Sequence, residues 1–74
     1  MKKLYLKTNH CLVVINPNGK IKELNTPFKV VIENHKVYTK GVSVFVEEVK
    51  LSEDKKLLFK VLNQWMSYQC FRIL

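Results

Sequence analysis

Turn-forming residues recur at short intervals through the first part of this chain, and they limit how long any regular element can be. NPNG occupies residues 16–19, NTP residues 25–27 and ENHK residues 33–36. The apolar runs between them are short, which suits β-strands better than helices. Because proline and glycine supply the backbone angles of a tight turn, we predict a β-hairpin over residues 11–24 and a further strand at residues 28–32.

The clearest strand signal covers residues 41–51, GVSVFVEEVKL. Val42, Val44 and Val46 recur at every second position, the period of a strand with one buried face. After Glu48 the apolar positions move by one residue. This slip predicts a β-bulge or a sharp bend, as where a strand passes from one side of a small barrel to the other.

The last third of the chain, residues 51–74, is compatible with two structures. In one, a serine-capped helix at about residues 53–67 carries its leucine, valine and tryptophan side chains on one face. In the other, the SEDK segment is a hairpin loop, residues 57–61 form a strand, and a tight turn at residues 63–64 leads into an aromatic-rich strand. We favour the strands, because the preceding strand needs a neighbour along its edge.

With strands at its end, the order of elements from Gly41 to Leu74 resembles the last part of SH3-like small β-barrels. A glycine-led strand, a tight turn, a short strand, an aromatic-rich strand and a terminal strand carry this resemblance, which is one of fold alone. We therefore expect a single all-β domain over residues 1–74, either a small SH3-like barrel or a strongly bent antiparallel meander. The open alternative is an α+β fold, an antiparallel sheet with one C-terminal helix at about 53–67.

The N-terminal sequence predicts neither a secretory signal nor a membrane span. Its longest apolar run, residues 11–15, is shorter than a signal core of about 7–15 residues and far shorter than the roughly 20 residues that cross a bilayer. Cys11 and Cys70 form no CxxC pair, so we expect two buried, reduced thiols. These features favour a soluble, cytoplasmic protein with no membrane partner.

Catalytic and metal-binding motifs are not evident in the sequence. His10, His35, Cys11 and Cys70 lack the spacing of zinc ligands. No nucleophile is paired with a base, and two glycines are too few for a glycine-rich phosphate loop. We expect no enzyme activity, no catalytic residue, no metal and no cofactor.

Charge is the most informative feature for function. The net charge is +7, and the first forty residues carry eight lysines against two glutamates. Clustered lysines contact phosphates with little regard to sequence. We expect a small basic binding or regulatory module that contacts an acidic protein surface or a nucleic-acid backbone. The candidate binding residues are Lys2, Lys3, Lys7, Lys20, Lys22, Lys29, Lys36, Lys40, Tyr38, Trp65 and Tyr68.

Other features restrict that expectation. Arg72 is the only arginine, whereas base recognition in the major groove relies on arginine, so backbone contacts and base stacking on side chains such as Tyr5 are the expected mode. The simpler interpretation is that lysines cover exposed sheet faces and edges, while Trp65 and Tyr68 fill the core. The alternative function is a structural or assembly role through homodimerisation.

Overall fold

The computed structural model describes residues 3–36 and 38–73, and within them the chain is almost entirely β-structure. The all-β prediction is confirmed. The alternative of a helix at about residues 53–67 is wrong, because these residues form two strands and the turns beside them. The strands are β1 (Lys3–Thr8), β2 (Cys11–Ile15), β3 (Ile21–Asn25), β4 (Phe28–Ile32), β5 (Ser43–Val46), β6 (Glu48–Leu51), β7 (Leu57–Val61), β8 (Gln64–Ser67) and β9 (Phe71–Ile73), with one 3₁₀ turn at Tyr68–Cys70.

The first sheet is an antiparallel meander in the order β1-β2-β3. The predicted NPNG hairpin is confirmed, with Ile15 opposite Ile21. The Asn16 N–H donates to the Lys20 carbonyl and the Gly19 N–H to the Asn16 carbonyl, each at 2.9 Å. Gly19 has a φ of 84°, in the left-handed region that glycine adopts most easily.

Strand β1 lies outside the predicted strands. Its sequence, KLYLKT, alternates in the manner of a half-buried strand, with Leu4 and Leu6 partly buried between exposed neighbours. It pairs with β2 along its length, with a shift of register between Leu6 and Thr8. The alternation was therefore a usable signal for this strand.

The second sheet has the order β5-β4-β9. The predicted strand at residues 28–32 is confirmed as β4, and only Lys29 of its five residues is exposed. The last strand of the chain pairs with β4 through Val30 and Ile73, Val31 and Arg72, and a third pair. This pairing joins distant parts of the chain, which local sequence patterns do not reveal.

The third sheet, β6-β7-β8, forms the meander predicted for the last third of the chain. The first of its turns is the predicted SEDK loop, in which the Lys55 N–H donates to the Ser52 carbonyl at 2.8 Å. The second turn is formed by Leu62 and Asn63, one residue earlier than the predicted position at residues 63–64, because Val61 pairs with Gln64. Both turn residues have positive φ, 51° and 63°, as a type I′ turn requires.

The predicted bend after the long valine strand lies at Glu47. On one side of it β5 pairs with β4, and on the other β6 pairs with β7. The Glu47 N–H already donates to the Lys60 carbonyl of the third sheet, at 2.8 Å. Val46 and Val49 are both fully buried although they are three residues apart, so the one-residue slip carries the chain from the second sheet to the third.

One core joins the three sheets. Phe59 lies at its centre, fully buried, with its ring edge-on to Phe28 at 5.7 Å between centroids and stacked on Phe71 at 6.0 Å. The first sheet contributes Leu12 and Val14 to the same cluster. Hydrophobic burial of this kind is the main stabilising contribution in a chain this small.

A backbone hydrogen bond links the first and third sheets, but the sheets do not merge into one. The Val49 N–H donates to the Asn9 carbonyl at 2.8 Å and so links the third sheet to the end of β1. Within the described residues none of the three sheets closes into a barrel. The all-β class is therefore established, whereas the closure expected of an SH3-like barrel is not observed.

Candidate functional site

The outer surface of the first sheet carries the lysines nearest the start of the described chain. On β1, Lys3, Tyr5 and Lys7 are exposed, because the two leucines between them turn inward. Register places Tyr5 beside Val13, and Val13 beside Glu23, so this row crosses the whole sheet. We call the surface formed by Lys3, Tyr5, Lys7, Val13, Ile21 and Glu23 the lysine face.

Tyr5 occupies the middle of the lysine face with 51% of its surface exposed. Of the two lysines of the hairpin, Lys20 is exposed in the loop, whereas Lys22 is exposed on β3 opposite Val14, on the other side of the sheet. Among the described residues of the first sheet and its hairpin loop, four lysines stand against a single glutamate. The surface therefore combines a flat aromatic side chain with an excess of positive charge.

Glu23 neutralises part of this excess. Its carboxylate accepts a hydrogen bond from the Lys7 ammonium at 3.1 Å, and this bond, together with the charge of Glu23, raises the pKa of Lys7. Lys7 is therefore fully charged at neutral pH. Lys3 has no carboxylate within 4.0 Å among the residues described, which leaves its ammonium available to an anion.

The remaining predicted lysines lie elsewhere. Lys29 is on the outer face of the second sheet, opposite the exposed ring of Phe45. Lys36 and Lys40 are exposed in the loop between β4 and β5. Lys2 lies outside the described residues. The structure thus divides the predicted lysines that it describes among the first sheet, the second sheet and the loop between β4 and β5, and does not gather them in one site.

Tyr38 belongs to the same loop and is half-buried against the core. Its ring lies 4.9 Å from the ring of His35, and its N–H donates to His35 Nδ1 at 3.3 Å. These contacts hold the ring in the loop. Tyr38 is therefore a less open stacking surface than Tyr5.

Trp65 is exposed on the outer face of the third sheet, so its expected place in the core is wrong. The reason is register, because Met66 and Phe59 are paired and take the inner positions, which turns Trp65 outward beside Lys60. The Lys50 ammonium lies 4.2 Å from the centroid of the tryptophan ring, within the range of a cation–π contact. Tyr68, in contrast, packs against the core as expected.

A groove with a volume of about 770 Å³ lies on the opposite side of β1 from the lysine face. It is bordered by β1, by the turn between β6 and β7, and by the 3₁₀ turn with β9. The lining residues are Leu4, Leu6, Leu51, Lys55, Lys56, Leu57, Ser67, Tyr68, Gln69, Phe71, Arg72 and Ile73. Apart from Tyr68, none is a predicted site residue, because the groove is assembled from three separated segments.

The cysteines and histidines do not form a common site. Cys11 is buried and Cys70 half-buried, and both thiols are free, so the expected burial holds fully only for Cys11. His10 Nδ1 hydrogen-bonds with Thr26 Oγ1 at 3.1 Å. Across residues 3–36 and 38–73, no three histidine, cysteine, aspartate or glutamate side chains are grouped as metal ligands would be.

Comparison with known proteins finds no matching family model, no significantly similar curated protein and no significantly similar solved structure. In the part of the chain that the structure describes, no helix has the length and apolar character needed to cross a bilayer. The lysine face and the groove are therefore the two candidate sites, and geometry alone supports each of them.

Proposed function

We propose that this domain is a non-catalytic module that binds single-stranded nucleic acid on the lysine face. The observation that carries the proposal is the position of Tyr5, half exposed on the outer face of the first sheet between Lys3 and Lys7 of the same strand. Every base offers an aromatic face, and stacking on one tyrosine is worth about 1–3 kcal/mol. The two ammonium groups belong to residues about 13 Å apart along the strand. They can contact phosphates on either side of a stacked base, Lys7 by exchanging its exposed ion pair with Glu23 for a phosphate.

The mode of binding follows from the side chains. Lysine is a compact charge without the planar fork with which arginine recognises guanine, so we expect contacts to the backbone. Val13 pairs with Tyr5 and adds apolar surface beside its ring, and Ile21 adds more on β3, in the row of Lys3 and Ile15. Binding should therefore depend steeply on salt and weakly on sequence.

The test is a fluorescence polarisation titration with labelled single-stranded DNA and RNA of random sequence, at about 50 and 200 mM salt. We expect micromolar binding at low salt and a loss of roughly sevenfold at the higher concentration, because two lysine–phosphate contacts to a single strand release counterions. The Tyr5→Ala variant should weaken binding by about tenfold through loss of stacking. Lys3→Ala should reduce the salt dependence.

Trp65→Ala is the matched control, since it removes an exposed aromatic side chain from a different sheet. It should leave the affinity unchanged. If Trp65→Ala weakens binding and Tyr5→Ala does not, the lysine face is not the site. Polarisation that stays flat at low salt would exclude nucleic-acid binding and leave an acidic protein surface as the partner.

Homodimerisation is the second candidate role, favoured by one observation on the second sheet. Strand β5 is an edge strand, Phe45 on it is 56% exposed, and Val42 just before the strand is exposed as well. An exposed apolar edge can pair with a second copy. Light scattering after size exclusion tests this role: a mass that rises with concentration supports it, and a constant monomer mass excludes it.

Two further expectations from the sequence belong to this proposal. The strand order from Gly41 onward supports an SH3-like relationship. The arrangement of the sheets does not add to this support, because none of the described sheets closes into a barrel. The cytoplasmic location stays a proposal as well, and fractionation of cells that express a tagged chain tests it.

A further inference from the structure

We infer that the groove on the inner side of β1 is a second binding site, for an extended acidic segment of another protein that carries a large apolar side chain. The groove and the lysine face lie on opposite sides of β1, because Leu4 and Leu6 alternate with Tyr5. This inference is independent of nucleic-acid binding. Each of the two sites has its own variants, so either can fail without the other.

The walls of the groove are apolar side chains. Leu4 and Leu6 of β1 are half-buried, while Leu57 and Phe71 behind them are almost completely buried. Leu51 is 47% exposed at the mouth of the groove. An opening of about 770 Å³ with such walls can accept a leucine-sized or phenylalanine-sized side chain.

The rim is positively charged, and this charge selects the ligand. Lys55, Lys56 and Arg72 line the groove. Lys56 and Arg72 have surface carboxylate partners, Asp54 at 3.6 Å and Glu33 at 3.2 Å. Exposed ion pairs of this kind contribute little to stability, so an incoming carboxylate can replace either partner. Arginine binds a carboxylate through two parallel hydrogen bonds.

Lys55 supports the inference through the position of its ammonium at the edge of the groove. Its φ is 62°, in the left-handed region where glycine or asparagine is favoured and lysine is uncommon. Among the described residues its ammonium has no carboxylate within 4.0 Å. The positive φ belongs to the turn itself, in which the Lys55 N–H donates to the Ser52 carbonyl and the Ser52 N–H to the Lys56 carbonyl, each at 2.8 Å. A cation without a carboxylate partner at the edge of an apolar groove suits an acidic ligand.

A random peptide library displayed on phage tests the inference, with the wild-type chain as bait and the Lys55→Gly variant as counter-selection. Selected peptides should combine aspartate or glutamate with a leucine, phenylalanine or other large apolar residue. When synthesised with a fluorescent label, they should bind the wild-type chain in the micromolar range. A selection without enrichment, or enrichment without acidic residues, would overturn the inference.

The Lys55→Gly variant separates binding from folding. Glycine removes the ammonium and suits the backbone angle, so the midpoint of thermal unfolding should stay the same or rise while the peptide affinity falls at least fivefold. Lys55→Arg keeps the charge and should retain the affinity. A fall in both stability and affinity for Lys55→Gly would indicate a structural role, and unchanged affinity would place the peptide elsewhere.

The same variants distinguish the two classes of ligand. Lys55→Gly and Arg72→Gln should leave binding of the labelled oligonucleotide within twofold of the wild type, while Tyr5→Ala should leave binding of the selected peptides unchanged. If the groove variants instead weaken binding of the oligonucleotide and spare the peptides, the groove belongs to a nucleic-acid surface and the inference fails.

Discussion

Turns throughout the molecule contain residues with positive φ, but the amino acids at these positions differ between the first two-thirds of the molecule and the last third. Gly19 and Gly41, with φ of 84° and 91°, occupy the left-handed positions before Glu47. After it, left-handed positions are occupied by Lys55, Leu62 and Asn63. Glycine adopts this conformation without strain, whereas lysine and leucine place Cβ close to the backbone.

In both groups the positive φ serves the turn, and the two groups differ in whether a side chain is present at that position. A Cβ added at either glycine would meet no atom within 4 Å, so only the backbone conformation favours glycine there. In the third sheet the less favourable residues are exposed, with Leu62 at 55% and Lys55 on the rim of the groove. The turns of the third sheet therefore expose side chains at positions that the earlier turns give to glycine.

The largest effect is expected from removing glycine from the first group of turns. Gly41→Ala and Gly19→Ala should each lower the free energy of unfolding by about 1–2 kcal/mol, because alanine resists positive φ. The two effects should add, since the turns are distant. Urea unfolding at 25 °C measures both. Lys40→Ala, an exposed neighbour, is the control, and an equal loss there would show that the backbone angle is not responsible.

Leu62 offers the opposite test. Leu62→Asn should raise the free energy of unfolding by about 1 kcal/mol, because asparagine tolerates the left-handed region and suits the first position of a type I′ turn. Thermal unfolding followed by circular dichroism measures the gain. Leu51→Asn is the control, with similar exposure and an ordinary backbone angle, and should not stabilise. A destabilised Leu62→Asn variant would mean that Leu62 contributes to the fold itself.

The smallest effect concerns acid and the SEDK loop. Asp54 accepts a hydrogen bond from the Ser52 hydroxyl, and this bond lowers the pKa of Asp54. A lowered pKa in the folded state contributes stability that is present above the unfolded pKa of about 3.9 and is lost as the pH falls through the folded value. Wild type should therefore lose slightly more stability between pH 5 and 3 than Asp54→Asn, in parallel urea titrations. Glu53→Gln, the adjacent acidic position, should follow the wild type.

Local signals in the sequence predicted the local features of the fold. Proline and glycine located the NPNG turn, valines at every second position located β5, and the slip after Glu48 indicated the bend at Glu47. These features depend on a few neighbouring residues. The division into three sheets, and above all the pairing of β4 with β9, depends on contacts between distant segments and could not be predicted in this way.

The candidate sites were predictable to different degrees. The excess of lysine indicated a basic surface, and the alternation in KLYLKT was enough to place Lys3, Tyr5 and Lys7 on one face. Only strand pairing shows that Glu23 joins them and that Lys29 lies on another sheet. Trp65 faces outward because Met66 takes the inner position opposite Phe59. Composition cannot predict which of these two adjacent apolar residues faces the core. No pattern in the sequence predicted the groove, because its lining comes from three separated segments.

The bend at Glu47 restricts the insertions and deletions that this chain can tolerate. Val46 and Val49 both face the core only because two residues separate them. Neighbouring positions of a strand face opposite sides of the sheet. Deleting or inserting a single residue at this bend would therefore reverse the two faces of β6 and expose Val49 to solvent. Among homologous sequences we therefore expect substitutions at the bend, but no insertion or deletion.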